Sequence, residues 1–240
     1  MLPIKKIAQT IIPKMKNSRL FYVATFAITS VVANAQVNQT PVTAGGRQIT
    51  VMKEESQPAT GSMFVTEKYM PAKISNMDNT VLVRYNAYAD NFQLKDPIAG
   101  SERVLPQEAG VTITFTGTAD VYTVQEYKTE KGEVVTGYLS LVSDNPNVKI
   151  YKRERIFLQP EVFPASSYQT YKAAAYKKLD DEFYIKIKDQ NLQFFSGKKD
   201  LAKLVPSKSK EILDFIKKNK LDVEKPADLE QVGAYINNNL

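Results

Sequence analysis

Apolar and polar residues alternate most cleanly at Val111–Thr116, where Val111, Ile113 and Phe115 interleave with Thr112, Thr114 and Thr116. A period of two sorts the two sets onto opposite faces of a strand, so Ile113 and Phe115 are expected in a core and the threonines outside it. The same period appears in Arg47–Glu54 through Ile49 and Val51, and in Val81–Leu94 through Val81, Val83, Tyr85 and Ala87. It returns in Glu182–Lys188 through Phe183, Ile185 and Ile187. Val121–Tyr127 is β-branched and aromatic, which also favours strand. Turn residues punctuate the series. Thr129-Glu130-Lys131-Gly132 leads into Val134–Val142, Asp144-Asn145-Pro146-Asn147 into Val148–Leu158, and Asp189-Gln190-Asn191 into Leu192–Phe195. Strands joined by short turns predict an antiparallel meander.

Ser166–Leu179 reads two ways, because its alanines and lysines favour helix while its tyrosines fit a helical spacing only loosely. The tail changes character. Ser196 is placed to cap a helix over Lys198–Val205, and Ser207 a second over Lys208–Lys218 with Ile212, Leu213, Phe215 and Ile216 on its apolar face. Pro226 suits the first turn of a third helix, with Leu229, Val232, Tyr235 and Ile236 inward. None is long enough to stand alone in water, so they should pack on each other or on the sheet. The expected fold is α+β: an antiparallel, curled sheet meander followed by a small C-terminal helical subdomain. The β-rich domain is expected over 47–195 and the helical one over 196–240.

Ahead of these lies Leu20–Ala33, an apolar run shorter than the roughly 20 residues a membrane-spanning helix needs. Lys16 and Arg19 precede it and Ala33-Asn34-Ala35 follows as a small-x-small cleavage site. That order is a signal peptide over 1–35, with Met15 as the natural start and the mature chain beginning at Gln36. Residues 36–46 are polar and Gly-rich, a flexible leader. No membrane span is expected after processing.

Charge changes the picture less than the total suggests. The formal net charge is +6, but Lys5, Lys6, Lys14, Lys16 and Arg19 lie before Gln36 with no acid among them, so the mature chain is nearly neutral. A neutral chain has no general attraction to phosphate backbones, so nucleic acid is not an expected partner. There is no cysteine and no histidine. Disulfides, thiol nucleophiles, the usual Ser-His-Asp triad and the commonest transition-metal ligands are therefore excluded. No metal and no cofactor is expected.

The remaining chemistry is sparse. Ser207-Lys208-Ser209-Lys210 and Ser196-Gly197-Lys198-Lys199 both match S-x-x-K. Two matches in one lysine-rich tail favour capping over catalysis. Asp180, Asp181 and Glu182 are the densest acid cluster, and on a strand Asp180 and Glu182 would share a face. Arg84 lies inside a strand next to Tyr85; it is either exposed on the polar face or buried against Asp90 or a cross-strand glutamate. Arg84, Tyr85, Asp180 and Glu182 are thus the candidate binding residues, and no catalytic residue is assigned. Lys149–Arg155 is basic but alternates as an ordinary strand does. The thirteen tyrosines, in a chain without tryptophan, serve strands and cores before they serve ligands.

Several segments together carry a resemblance: Gly61-Ser62-Met63-Phe64, Val81-Leu82-Val83-Arg84-Tyr85-Asn86-Ala87-Tyr88-Ala89-Asp90, Asp180-Asp181-Glu182-Phe183-Tyr184-Ile185-Lys186, Lys198-Lys199-Asp200-Leu201 and Phe215-Ile216-Lys217-Lys218-Asn219-Lys220-Leu221. The chain is similar through them to an uncharacterised family of small, signal-peptide-bearing exported proteins of Bacteroidetes bacteria. The resemblance implies export in a Gram-negative cell, to the periplasm, the outer membrane or the medium, and carries over no catalytic residue. The functional expectation is a non-catalytic cell-envelope protein that binds or scaffolds another envelope protein. One alternative is a periplasmic carrier of an apolar ligand in a curled sheet. The other is a carboxylate-dependent glycan hydrolase.

Overall fold

The computed structural model describes residues 56–240 apart from 97–99 and 167, and the backbone of two short strands further upstream. The expected signal peptide and most of the expected leader lie outside the described residues. So does the Ile49–Glu54 part of the Arg47–Glu54 strand. The upstream strands are β1 (Thr43–Ala44) and β2 (Arg47–Gln48), which pair antiparallel.

The second unit, Lys53–Leu240, holds the rest of the fold. Its strands are β3 (Met70–Ile74), β4 (Val81–Asn86), β5 (Asn91–Lys95), β6 (Glu102–Val104), β7 (Thr112–Phe115), β8 (Val121–Lys128), β9 (Val134–Asp144) and β10 (Val148–Arg153). They continue with β11 (Ile156–Gln159), β12 (Ala175–Lys178), β13 (Glu182–Ile187) and β14 (Gln193–Phe195). Ten of these form one open antiparallel sheet in the order β14-β13-β10-β9-β8-β7-β3-β4-β5-β6. Chain neighbours pair from β3 to β6 and again from β7 to β10. The sequence order breaks where β7 returns to pair with β3. β11 and β12 pair separately. Three helices complete the unit: α1 (Lys198–Lys203), α2 (Ser209–Lys218) and α3 (Pro226–Asn238). Among the described residues no helix is long and apolar enough to cross a membrane.

The alternation at β7 sets the packing as expected. Ile113 is fully buried and Phe115 nearly so, while Thr112 and Thr114 stay half-buried. Two cores share one face of the sheet. The first joins Tyr85, Phe92, Phe115, Tyr122 and Tyr138 with Val83, Ile113 and Val124. The second lies under the helices, where Ile212, Ile216, Leu229, Val232 and Ile236 meet Val148, Ile150, Ile185 and Phe195. Tyr127, Leu139, Tyr151, Tyr184 and Leu192 form a smaller cluster on the opposite face. Val142 is an extra residue in β9: Tyr151 pairs with Leu141 but Ile150 with Ser143, a β-bulge. α3 approaches closely because position 233 is glycine, where a methyl group would sit 2.5 Å from the Ser143 hydroxyl oxygen.

Several expectations are corrected. Val81–Leu94 is not one run but the β4–β5 hairpin, turned by Asp90 in a left-handed conformation (φ 49°). Asp and Asn tolerate that conformation better than most residues, and this is the signal the alternation concealed. Val148–Leu158 divides at Glu154, which leaves the ladder to bury its carboxylate. Four charged residues in a row, Lys152-Arg153-Glu154-Arg155, interrupt the alternation at the break and were the readable signal. Ser166–Leu179 is not helical; its end is β12. Ser207 caps nothing, because it lies within a single 3-10 turn over Pro206–Lys208, and α2 begins at Ser209 with no side-chain cap. Ser196 does not cap the α1 backbone either. Its hydroxyl donates to the Asp200 carboxylate at 2.7 Å.

Candidate functional site

The site begins where β10 ends. Glu154 is 6% exposed, and its carboxylate accepts the Tyr122 hydroxyl at 2.6 Å and the Lys152 ammonium at 3.0 Å. A buried carboxylate needs such partners, because an uncompensated charge is costly away from water. Lys178 of β12 stands 3.9 Å from it and also pairs with Asp181 at 3.2 Å. Tyr122 answers in kind: burial, and then the charge of Glu154, push its phenol far above the ordinary range, so it keeps the proton it donates to Glu154.

Above this group lies a cavity of about 190 Å³. Val83, Tyr85 and Phe115 supply apolar wall, Arg84, Lys152 and Asp120 charge, and the segment Val65–Met70 one side. Arg84, a sequence candidate, is half-buried at this cavity. Its guanidinium donates to Gln93 Oε1 at 2.8 and 3.0 Å and pairs with Glu102 at 3.5 Å. The same group stacks over Phe64 at 3.8 Å and Tyr69 at 4.4 Å. A cross-strand glutamate is therefore its acid, and Asp90 is not.

Asp90 instead accepts the Tyr85 hydroxyl at 2.7 Å and the Tyr138 backbone N–H at 3.2 Å. Its carboxylate lies over Gly137, where any side chain would collide with it. A glycine inside a long strand marks such a close approach, so Gly137 was a readable signal. Tyr85, the second sequence candidate, is thus a core residue, stacked on Phe92 at 4.9 Å.

The acid candidates lie elsewhere. Asp180 is exposed and precedes β13, so it does not share a strand face with Glu182. Glu182 accepts Arg153 and Arg155, each at 3.1 Å, and the Tyr184 hydroxyl at 2.9 Å. Both acids border a polar depression of about 500 Å³ that also contains Arg155. Among the described residues no group of three or more acidic side chains is arranged to hold a metal ion. Sequence reasoning missed Glu154, Tyr122 and Lys152. Glu154 was visible only as one acid inside a basic strand.

The tyrosines give the protein an alkaline limit. Burial pushes the Tyr127 and Tyr138 phenols up to about 12, with the Asp90 carboxylate adding to both, and holds Tyr85 and Tyr184 higher still. The unfolded chain releases these protons near pH 10, before the folded one does. Stability is therefore intact below about pH 10 and falls as pH rises toward 12. Phenolate absorbance and circular dichroism are expected to change together in that window. A phenolate transition complete near pH 10 with the fold intact would contradict the burial.

The fold and cavity define a class: an α+β protein with an open ten-stranded antiparallel sheet and a small C-terminal helical part. No family model matches the chain, and neither a curated protein nor a solved structure does.

Proposed function

We propose that the protein is a non-catalytic, exported cell-envelope protein of a Gram-negative bacterium, and that it binds a partner protein by taking one of its side chains into the cavity beside Glu154. The cavity carries this reading. At about 190 Å³ it is little larger than a void that holds one benzene ring, and smaller than the roughly 300 Å³ at which small-molecule sites begin. Its most buried charged groups are engaged: Glu154 by Lys152 and Tyr122, Arg84 by Gln93 and Glu102. Such a wall recognises shape and hydrogen bonding more than it supplies a free nucleophile or base.

The carrier reading has one supporting observation. Phe92 of β5 and Tyr138 of β9 touch at 4.9 Å although four strands separate them in the sheet, so we infer that the sheet curls. The same aromatic rings fill the space a lipid would need, which favours the partner-binding reading. The glycan-hydrolase reading needs two carboxylates free to face a cleft, and Glu154 and Glu182 are both engaged by cations.

The test compares the protein with a cavity-filled variant, Thr118→Trp. Envelope fractions are captured on both, and the proteins retained are compared alongside intact mass and fold. A partner retained by the wild type and lost by a folded variant, on a chain beginning at Gln36, is the expected result. Turnover of ester, peptide or glycan substrates, or a chain still carrying residues 20–33, would overturn the reading.

A further inference from the structure

On the sheet face turned away from the helices, β10 and β13 set Lys149 directly opposite Lys186. Val148 and Ile150 belong to the core under the helices and Tyr151 to the opposite cluster, which fixes Lys149 on the far face. Like charges facing each other across a ladder oppose the pairing. Lys188, just beyond β13, adds a third ammonium from a left-handed backbone conformation (φ 50°) that non-glycine residues seldom adopt. Its backbone N–H donates to the Asn147 carbonyl at 2.7 Å, which holds the turn before β10 against the turn after β13. Asn147 in turn donates its own backbone N–H to the Asn237 side chain of α3 at 2.9 Å. The lysines are therefore mounted on a braced frame.

The three lysines border a depression of about 300 Å³, with Tyr151, Gln125, Pro146 and Asn147 completing it and no acid in its lining. Asp144 engages Lys149 from outside at 2.7 Å. Among the described residues neither Lys186 nor Lys188 forms an ion pair. Three half-buried cations of the sheet each have an acid: Arg84 has Glu102, Lys152 has Glu154 and Arg153 has Glu182. Three ammonium groups around one hollow, two of them without an acid, are a local concentration of like charge of the kind sequences keep where a ligand resolves it.

We propose that this depression binds a phosphate-type oxyanion, with Lys186 and Lys188 as its main contacts and Lys149 at its side. A doubly charged tetrahedral anion neutralises both free ammonium groups and converts the opposition across the ladder into a shared attraction. Free phosphate and the phosphate of a lipid headgroup present the same chemistry. The inference is independent of the cavity beside Glu154, which opens on the other face.

The experiment measures thermal unfolding of the purified protein in rising inorganic phosphate, against sodium chloride at matched ionic strength. It is repeated on Lys186→Gln and on Lys186→Gln/Lys188→Gln. Phosphate is expected to raise Tm beyond the chloride control. Each substitution should raise Tm in phosphate-free buffer, by relieving repulsion, and weaken the phosphate response by about tenfold or more. Flotation with phosphatidic acid vesicles, and with neutral phosphatidylcholine vesicles as control, identifies the source. Phosphate-competed binding to the acidic vesicles assigns a headgroup, and a phosphate response without vesicle binding assigns the free anion. Equal effects of phosphate and chloride, or a phosphate response unchanged in the double variant, would overturn the proposal.

Discussion

Phe92→Ala is expected to remove about 3 to 5 kcal/mol of stability, the cost of deleting a large ring from a core that cannot collapse around the void. Phe92 is fully buried. Its ring lies 4.9 Å from those of Tyr85 and Tyr138, 5.3 Å from Tyr122 and 6.1 Å from Phe115. These neighbours come from β4, β9, β8 and β7, so the cavity left behind would touch half of the sheet's ten strands. Three of them are tyrosines tied by their hydroxyls, to Asp90, Glu154 and the Pro106 carbonyl, and cannot swing inward without losing those bonds. A loss below about 1 kcal/mol in denaturant melts would mean that this core repacks freely, against the close packing expected of interiors.

Glu154→Ala is the second large effect, at about 3 kcal/mol or more, because it strands a buried phenol and leaves a half-buried ammonium without its nearest carboxylate. The same site offers a sharper comparison. Tyr122→Phe in the wild type should cost about 1 kcal/mol or more, the worth of a hydrogen bond to a charged acceptor. In the Glu154→Ala background the same change should cost almost nothing, since the hydroxyl has already lost its acceptor. A double-mutant cycle in urea reads the difference directly. Additive costs would show that the 2.6 Å contact between the two side chains contributes no stability.

The sheet was legible wherever one strand face is buried and the other is not. Ile113 and Phe115, or Ile185 and Ile187, announce themselves by period two because the threonines and lysines between them face a different environment. The two longer helices were legible for the same reason at a period of 3.6, through Ile212 and Ile216 and through Leu229, Val232 and Ile236. What failed was punctuation by residues that look ordinary. Asp90 turns a hairpin without a glycine, and Glu154 ends a strand without a proline, each because its carboxylate has partners distant in sequence. Those partners also make the candidate site. Tyr122 lies 32 positions before Glu154, and Gly137 lies 47 after Asp90, a pairing of small residue and carboxylate that only the folded sheet brings together. Arg84 was half legible: the need for a partner follows from its place inside a strand, while the choice of Glu102 over Asp90 depends on the register of β5 and β6.

The bulge at Val142 has a bearing on how this chain can change in length. β9 is eleven residues long and serves both cores, with Tyr138 and Ser140 facing the aromatic one and Ser143 facing Gly233 of α3. Deleting a residue from the regular part of the strand, between Val135 and Leu141, would move the side chains on one side of the gap to the wrong face. Deleting Val142 would not, because it is the surplus residue: Leu141 would still meet Tyr151 and Ser143 would still meet Ile150. The bulge is thus a place in the strand where a single codon can be lost without changing the face of any other residue, at the cost of one partly buried side chain packed against the core under the helices. Length variation among descendants of this sequence should therefore collect at Val142 and in the turn that follows Asp144, and spare the rest of β9.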